Sequence, residues 1–414
     1  MRALVLIDGE HHAPVVRDAL AALPYEVVGA LLVGGAEKLR GGPPGASGAR
    51  SSGRAGSASP AALPADDYGV PLVDSLDAVE ADVVVDLSDE PVLGPRERLL
   101  WASRVLALGL PYVGADFRFD PPAYHPFDLP SVAVFGTGKR VGKTAVTAHL
   151  ARLLARDHDV VVVSMGRGGP PEPELVTAPP DVGELVARSR AGRHAASDHL
   201  ETAAFAGVPT VGCRRAGGGM AGAPFDSNVL EGARLAASLD PDVVVFDGSG
   251  AAVPPIATDA RVLVAHDLAG LNAYRALVSD LVLAAGDDVA VEATRLGRPA
   301  ARFGLRLRPT ARLEGRVAVF TTGPAGCGHL DADVVLHSRA LADRHELVRQ
   351  LEGVDADTYL VELKAAAIDV VAEHALARGR RVVLAENEVV SASGSDDLDA
   401  LLLHVVAGRA GARA

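Results

Sequence analysis

The chain has 414 residues, 49% of them hydrophobic and 22% charged, a composition that predicts a globular protein of two or three domains. A formal net charge of −13 argues against the broad basic face that general nucleic-acid binding needs. Two well-separated cysteines, no signal-peptide pattern and no apolar run of about 20 residues argue against a disulfide scaffold and a membrane span, so we expect a cytoplasmic protein.

The first part of the chain alternates apolar strands with helical segments. We predict strands at 3–7, 27–33, 82–87 and 112–115, and helices at 13–23 and 95–108. Residues 41–64 consist mainly of Gly, Ser, Pro, Ala and Arg, and they predict a disordered insertion. The alternation predicts a small Rossmann-like α/β domain over residues 1–125.

A cluster of polar residues follows the first strand: Asp8, Glu10, His11 and His12. Such a cluster at the carboxyl end of a strand is a candidate for binding substrate or metal, or for starting the next helix. Adjacent histidines in an extended segment point to opposite sides, which disfavours a shared metal ion. We therefore name Asp8, Glu10 and His11 as candidate substrate-binding residues.

The second domain is predicted over residues 126–414. Its apolar strands are predicted at 131–135, 160–164, 208–213, 242–246, 261–265, 281–284, 316–320, 334–336, 358–361 and 382–385. Helices fit between most of them, which predicts a mainly parallel sheet with ligands at the carboxyl ends of its strands. The tail after Leu403 is expected to fray.

The strongest motif is a glycine loop, G-T-G-K-R-V-G-K-T, between the strand at 131–135 and a predicted helix at 145–156. This context is the one that a phosphate-binding P-loop requires. The predicted nucleotide-binding residues are Gly136, Thr137, Gly138, Lys139, Arg140, Gly142, Lys143 and Thr144. The fold class predicted for the whole chain is therefore α/β, with a Rossmann-like domain followed by a P-loop NTPase domain and an α/β C-terminal extension.

The loop residues have predicted roles in binding ATP and Mg²⁺. Backbone N–H groups would cradle the phosphates, Lys143 would reach the β- and γ-phosphates, and the Thr144 hydroxyl would ligate Mg²⁺. The spacing departs by one residue from the common motif, since Thr137 stands where the first glycine belongs. Lys139 is a second candidate catalytic lysine, and only four lysines occur in the chain.

Two further segments are expected near the phosphates. The strand at 242–246 ends in Asp247 and three small residues, a pattern similar to a Walker B motif, so Asp247 is a predicted Mg²⁺ ligand. The strand after the P-loop helix runs into G-R-G-G-P-P-E-P-E, where Arg167 is predicted to neutralise phosphate charge. Glu172 or Glu174 is a candidate metal ligand or base there, unless the segment is only a rigid proline turn.

A third glycine-rich segment begins with two arginines. Arg214 and Arg215 lead from the strand at 208–213 into Ala-Gly-Gly-Gly. Guanidinium groups beside free backbone N–H donors predict an anion site, whereas the alternative is a flexible surface loop. We name Arg214 and Arg215 as candidate substrate ligands and expect Cys213 to be a core residue.

The glycine loop resembles that of dethiobiotin synthetases, whose P-loop fold is similar to the class of MinD and the nitrogenase iron protein. Five segments together resemble the cyclic 2,3-diphosphoglycerate synthetase family. They are L-V-L-I-D-G-E-H at 4–11, V-F-G-T-G-K-R-V-G-K-T at 134–144, G-R-G-G-P-P-E-P-E at 166–174, V-G-C-R-R-x-G-G-G-M-A-G at 211–222 and F-D-G-S-G-A-A-x-P-P at 246–255.

This resemblance implies an ATP-dependent ligase that closes 2,3-diphosphoglycerate into a cyclic anhydride and releases ADP and phosphate. Our candidates to bind this substrate are Arg167, Arg214 and Arg215, with help from the segment 8–12 if the N-terminal domain closes over the site, and we expect a homodimer. No dimer-bridging role is transferred to Lys139. Two alternatives stay open: another P-loop ligase that activates a different small carboxylate or phosphate, and a nucleotide-dependent switch protein.

Overall fold

The computed structural model describes residues 1–34, 68–323, 325–392 and 397–410. The predicted insertion at 41–64 lies outside the described residues. The chain divides into two compact units, Met1–Pro122 and Ala123–Ala414.

The first unit is built on a six-stranded sheet in the order β3-β2-β1-β4-β5-β6. Its elements are β1 (Arg2–Ile7), α1 (Ala13–Ala22), β2 (Glu26–Leu32), β3 (Leu72–Val73), β4 (Val83–Asp86), α2 (Pro95–Ala107), β5 (Tyr112–Val113) and β6 (Arg118–Phe119). Strands β1 to β5 are parallel, and β1 and β4 are almost wholly buried apolar runs, as expected of parallel strands covered on both faces. The Rossmann-like class stays a prediction, because β6 runs antiparallel to β5.

The second unit opens with a strand and helix alternation. Its elements up to residue 295 are β7 (Ser131–Gly136), α3 (Lys143–Leu154), β8 (Val160–Gly166), β9 (Glu174–Val176), α4 (Val182–Arg190), α5 (Asp198–Ala206), β10 (Thr210–Ala216), β11 (Asp226–Ser227), α6 (Val229–Ala237), β12 (Val243–Asp247), β13 (Ala260–Ala265), α7 (Ala273–Leu277), β14 (Leu281–Ala284) and α8 (Asp287–Arg295). The strands β10-β8-β12-β7-β13-β14 are parallel neighbours in that order. The predicted α/β fold with a mainly parallel sheet is confirmed, and the carboxyl ends of β8, β12 and β7 meet at one edge.

The same sheet continues into the C-terminal strands. The remaining elements are β15 (Ala300–Pro309), β16 (Arg316–Phe320), β17 (Asp333–Ser338), α9 (Arg344–Glu352), β18 (Thr358–Glu362), a π-helical turn (Ala367–Ala372), α10 (Glu373–Ala377), β19 (Arg381–Ser391) and α11 (Leu398–Ala410). Strand β15 pairs in parallel with β14 through its first residues and antiparallel with β19 through the rest. We did not predict β15, because its sequence alternates arginines with apolar residues and carries no continuous apolar run.

Alternating residues of the P-loop strand pack into two core layers. Val132 and Val134 join one buried cluster and Ala133 and Phe135 the other, as the period of two in a strand requires. The expected fraying after Leu403 is wrong, because α11 continues to Ala410. Leu402 is fully buried, and Asp399 Oδ1 lies 2.7 Å from Nε2 of His149 on α3. Packing of an apolar face against the rest of the fold is the main source of helix stability in proteins, which accounts for this helix.

An ion pair between the buried Glu201 and the half-buried Lys364 joins α5 to the segment after β18. The Lys364 ammonium lies 3.0 Å from Oε1 of Glu201. Burial raises the pKa of the Glu201 carboxyl to about 7, although Lys364 counteracts this and the charges of Asp198 and Glu362 add to it. Burial lowers the pKa of Lys364, but Glu201 and Glu362 outweigh burial and the net shift is upward.

We expect the pH dependence of stability to report on Glu201. Its pKa in the folded chain lies above the ordinary value of 4.5, so the folded state holds the proton more tightly than the unfolded state. The contribution of Glu201 to the free energy of unfolding is therefore complete below pH 4.5 and is lost as the pH rises through about 7. Urea unfolding at about pH 5 and about pH 8 should show this decline.

In the same experiment Glu201→Gln should flatten the decline, because the amide does not titrate. Glu172→Gln, which changes an exposed carboxylate, should keep the wild-type profile. A pH profile of Glu201→Gln identical to that of the wild type would contradict the assignment.

Candidate functional site

The glycine loop joins the carboxyl end of β7 to the amino terminus of α3. Gly142 adopts a φ of 96°, a left-handed conformation that favours glycine, and it is directly followed by Lys143, the first residue of α3. A Cβ on Gly136 would lie 2.7 Å from Val141 Cγ2, so the loop closes tightly there. The first turn of α3 has no acidic residue and no side-chain cap, which leaves N–H donors free for an anion.

Lys143 is paired with Asp247 at the carboxyl end of the neighbouring strand β12. Lys143 Nζ lies 2.6 Å from Asp247 Oδ1, and both side chains are buried. The Thr147 hydroxyl donates to the same oxygen at 2.9 Å, and the Ser164 hydroxyl donates to Oδ2 at 3.3 Å. Burial raises the pKa of Asp247, although Lys143 opposes the shift. A buried carboxylate of this kind needs a cation beside it.

The oxygen ligands that Mg²⁺ prefers are present around this pair. Asp247 offers a carboxylate, and Thr144, half-buried in the first turn of α3, offers a hydroxyl. The residues therefore fit a metal ion bound together with nucleotide phosphates. Thr147 and Ser164 were missed by sequence reasoning, because neither belongs to a recognisable motif.

The remaining loop residues are less enclosed. Thr137 and Gly138 are half-buried, and a Cβ on Gly138 would meet no atom within 4 Å, so the space beside it is open. Lys139 and Arg140 are exposed, and Arg140 has a φ of 61°. The catalytic role of Lys139 stays a prediction, since nothing in the described residues brings its ammonium to Asp247.

A cavity of about 570 Å³ lies beside the loop that follows Asp247. Three arginines line it: Arg167 after β8, Arg215 in β10 and Arg275 in α7. A Cβ on Gly250 would lie 3.3 Å from one terminal nitrogen of Arg167 and 3.6 Å from one of Arg215, so the two guanidinium groups converge there. The carbonyl oxygen of Gly250 would in turn lie 3.3 Å from a Cβ on Gly136, which places the cavity next to the P-loop.

None of these three arginines has a carboxylate partner within ion-pair distance in the described part of the chain. Arg215 donates to the carbonyl oxygens of Gly217 and Ser249, the latter at 2.7 Å, and its buried Nε has no hydrogen-bond partner. Arg275 Nε donates to the Ala251 carbonyl at 2.6 Å. Burial lowers the pKa of both groups, and the charge of Arg167 lowers that of Arg215 further. Such an arrangement is completed by an anion.

The structure separates the two adjacent arginines that the sequence suggested together. Successive side chains of β10 point to opposite sides, so Arg215 is buried in the cavity wall while Arg214 is exposed. Arg214 does not line the cavity. Arg275 does, and the sequence had no signal for it, because it lies in a five-residue helix 60 positions further along the chain.

The two candidate glutamates have different surroundings. Glu172 is exposed. Glu174 lies in β9 and pairs with Arg188, whose Nη2 is 2.6 Å from Glu174 Oε2, and this ion pair lowers the pKa of Glu174. Glu174 is therefore engaged in structure, and the role proposed for Glu172 stays a prediction. Cys213 is buried in the core as expected, and burial raises its thiol pKa to about 12.

The N-terminal candidates belong to the first unit. The buried Asp8 carboxylate accepts from the backbone N–H groups of Glu10 and Asp89, at 2.9 and 3.0 Å. His11 Nδ1 lies 3.0 Å from Asp8 Oδ1 and its Nε2 lies 3.3 Å from Asp89 Oδ2. Asp8 thus holds its own loop in shape, and a role for Asp8, Glu10 or His11 in binding substrate stays a prediction.

Within the described residues, no helix combines the length and the apolar character that crossing a membrane requires. Three domain families match the chain, and all are described as parts of cyclic 2,3-diphosphoglycerate synthetase. The N-terminal domain matches residues 2–120, the P-loop domain residues 131–294 and the C-terminal domain residues 314–388.

Similar curated proteins named cyclic 2,3-diphosphoglycerate synthetase extend over nearly the whole chain. The relative from Rubrobacter xylanophilus is 45% identical and covers 99% of this chain and 98% of its own. Those from Pyrococcus horikoshii and Methanothermobacter thermautotrophicus are 38% and 37% identical, and cover 93% and 97% of this chain and 92% and 95% of their own. By domain composition and full-length similarity, the chain belongs to the cyclic 2,3-diphosphoglycerate synthetase family.

Proposed function

We propose that this chain catalyses the ATP-dependent closure of 2,3-diphosphoglycerate to its cyclic anhydride, with release of ADP and phosphate. The observation that carries the proposal is the cavity in which Arg167, Arg215 and Arg275 meet without a carboxylate partner, next to the P-loop. A substrate with one carboxylate and two phosphates supplies the negative charge that these arginines lack. In a chain of net charge −13 this local positive charge is a specific feature.

The reaction needs two phosphoryl-transfer steps. In the first, an oxygen of one substrate phosphate attacks the γ-phosphorus of ATP, a new P–O–P linkage forms, and ADP leaves with the electrons of the broken bond. In the second step, an oxygen of the other substrate phosphate attacks the inner phosphorus of the activated group, the one bonded to the glycerate oxygen. The ring closes, and the outer phosphate, which came from ATP, leaves as inorganic phosphate. Both steps depend on positioning and charge neutralisation rather than on a covalent enzyme group.

The site residues divide this work between them. The loop N–H groups and Lys143 bind the β- and γ-phosphates, and Thr144 and Asp247 hold Mg²⁺, which neutralises phosphate charge when it is bound. Lys143 now neutralises Asp247. With phosphates bound, Lys143 would turn its ammonium toward them, and Asp247 and Thr144 would then hold a metal ion whose charge neutralises the carboxylate. The arginines hold the substrate anions, and the glycines 217–219 line the same cavity.

The test is to measure ADP and phosphate release with and without 2,3-diphosphoglycerate and to identify the product by ³¹P NMR. We expect turnover that requires 2,3-diphosphoglycerate, with one ADP and one phosphate per cyclic product. ATP hydrolysis indifferent to the substrate would contradict the proposal and favour a nucleotide switch. Turnover only with another small acid would indicate a different ligase. Light scattering of the same sample checks the proposed homodimer.

A further inference from the structure

The carboxylate of Asp198, the first residue of α5, lies at the edge of the sheet where the candidate site is built. A Cβ on Gly166, the last residue of β8, would lie 3.3 Å from Asp198 Oδ2. The side chain is half-buried, and within the described ranges its carboxylate makes no hydrogen bond and no ion pair. Asp198 follows no apolar strand and belongs to none of the glycine-rich motifs, so its sequence context carries no sign of a binding role.

Asp198 is close to both halves of the site. Gly166 follows Ser164 by two residues, and the Ser164 hydroxyl donates to Asp247. Ser164 is also the register partner of Asp247 between β8 and β12. The negative charge of Asp198 also acts on Arg215 in the cavity wall, where burial lowers the pKa of the guanidinium and this charge raises it in part. A second carboxylate near a buried one is electrostatically unfavourable unless a cation is shared between them.

The helix that carries Asp198 is held firmly in place. One turn further along α5, Glu201 pairs with Lys364. Beside Lys364, Glu362 Oε2 accepts from Thr322 N at 2.6 Å and its Oε1 from Asn387 Nδ2 at 2.8 Å. On the opposite side, a Cβ on Gly212 would lie only 2.5 Å from the ring of His199, so α5 packs closely on β10. These contacts fix the backbone of α5 beside the sheet edge.

We propose that Asp198 is a second carboxylate ligand of the metal ion at the nucleotide site, acting with Asp247 directly or through a bound water. The inference rests on the proposed function, because the metal arrives with ATP. When Lys143 moves to the phosphates, Asp247 and Asp198 remain as two neighbouring negative charges. A divalent cation neutralises both, and carboxylate oxygens are ligands that Mg²⁺ and Mn²⁺ accept.

The experiment measures metal affinity. Mn²⁺ is titrated by electron paramagnetic resonance into the full-length protein saturated with a non-hydrolysable ATP analogue. Asp198→Asn should weaken Mn²⁺ binding by about ten-fold or more, while the affinity for the analogue in the absence of metal stays the same. Asp157→Asn is the matched control, since it removes an exposed carboxylate just before the amino end of β8, and it should bind Mn²⁺ like the wild type.

Further measurements separate the possible causes. Asp198→Asn keeps the shape of the side chain, and thermal unfolding checks that α5 is intact. If that variant does not fold, Asp198→Glu, which keeps the charge but moves the carboxylate by one methylene, should fold and show a smaller loss of Mn²⁺ affinity.

Two outcomes would count against different claims. If folded Asp198→Asn binds Mn²⁺ like the wild type, the inference about Asp198 is overturned and the nucleotide site is unaffected. If only Asp198→Glu folds, the same result in that variant has the same meaning. A wild-type protein that takes up no Mn²⁺ with the analogue contradicts the proposed function itself.

Discussion

Replacing Lys143 with Ala is expected to lower ATP-dependent turnover by about 10²-fold or more. Lys143 begins α3 directly after the left-handed Gly142, and its ammonium lies at the carboxyl edge where β7 and β12 meet. From that position we expect its ammonium to reach the β- and γ-phosphates, so that its loss would remove charge stabilisation from the transition state. The measurement is the steady-state rate of ADP release at saturating substrate.

Arg156→Ala is the control, because Arg156 is an exposed cation just past the other end of α3, away from the loop. Its turnover should stay much closer to that of the wild type. Removing Lys143 also leaves the buried Asp247 without its cation, which destabilises the fold by on the order of 3–5 kcal/mol if the carboxylate stays charged. Lys143→Gln, which keeps a donor for Asp247, should therefore be more stable than Lys143→Ala yet equally inactive. Near-normal turnover in both variants would contradict the P-loop assignment.

The second large effect is expected at Arg215. Arg215→Gln should weaken binding of 2,3-diphosphoglycerate by about 1.5–3 kcal/mol, which is roughly 10- to 100-fold in Kd. The guanidinium group is buried in the cavity wall, has an unsatisfied Nε and lies beside Arg167 without a carboxylate partner, so a bound anion interacts strongly with it. Titration calorimetry with 2,3-diphosphoglycerate and, separately, with ATP measures both affinities.

The neighbouring residue supplies the control. Arg214→Gln removes the same charge from the exposed side of β10 and should change substrate affinity little. ATP affinity should hardly change in either variant. Equal losses in the two variants would show that a general surface charge, not the cavity, attracts the substrate. Loss of ATP binding with intact substrate binding in Arg215→Gln would assign this loop to the nucleotide.

Part of this picture could be predicted from the sequence because the signals are contiguous. An apolar strand, a glycine loop and a helix start occupy residues 131–144 without interruption, so local chemistry alone identifies a phosphate site. The apolar strand that ends in Asp247 is also recognised from a short continuous stretch of sequence. The order of the strands is not local, yet a parallel sheet brings their carboxyl ends to one edge, which is why Lys143 and Asp247, both predicted to act near the phosphates, lie side by side.

Only the tertiary structure decided which side chains complete the site. The period of two in β10 sends Arg215 inward and Arg214 outward, and the register with β8 that determines this is set by long-range pairing. Arg275 and Asp198 come from helices whose own sequences carry no binding motif, and they reach the same edge only because α7 and α5 pack there. The sequence by itself determined the phosphate loop, since its function depends on backbone conformation within nine residues. Only the folded chain decided which residues line the arginine cavity, since its charges come from segments that are distant in sequence and adjacent only in space.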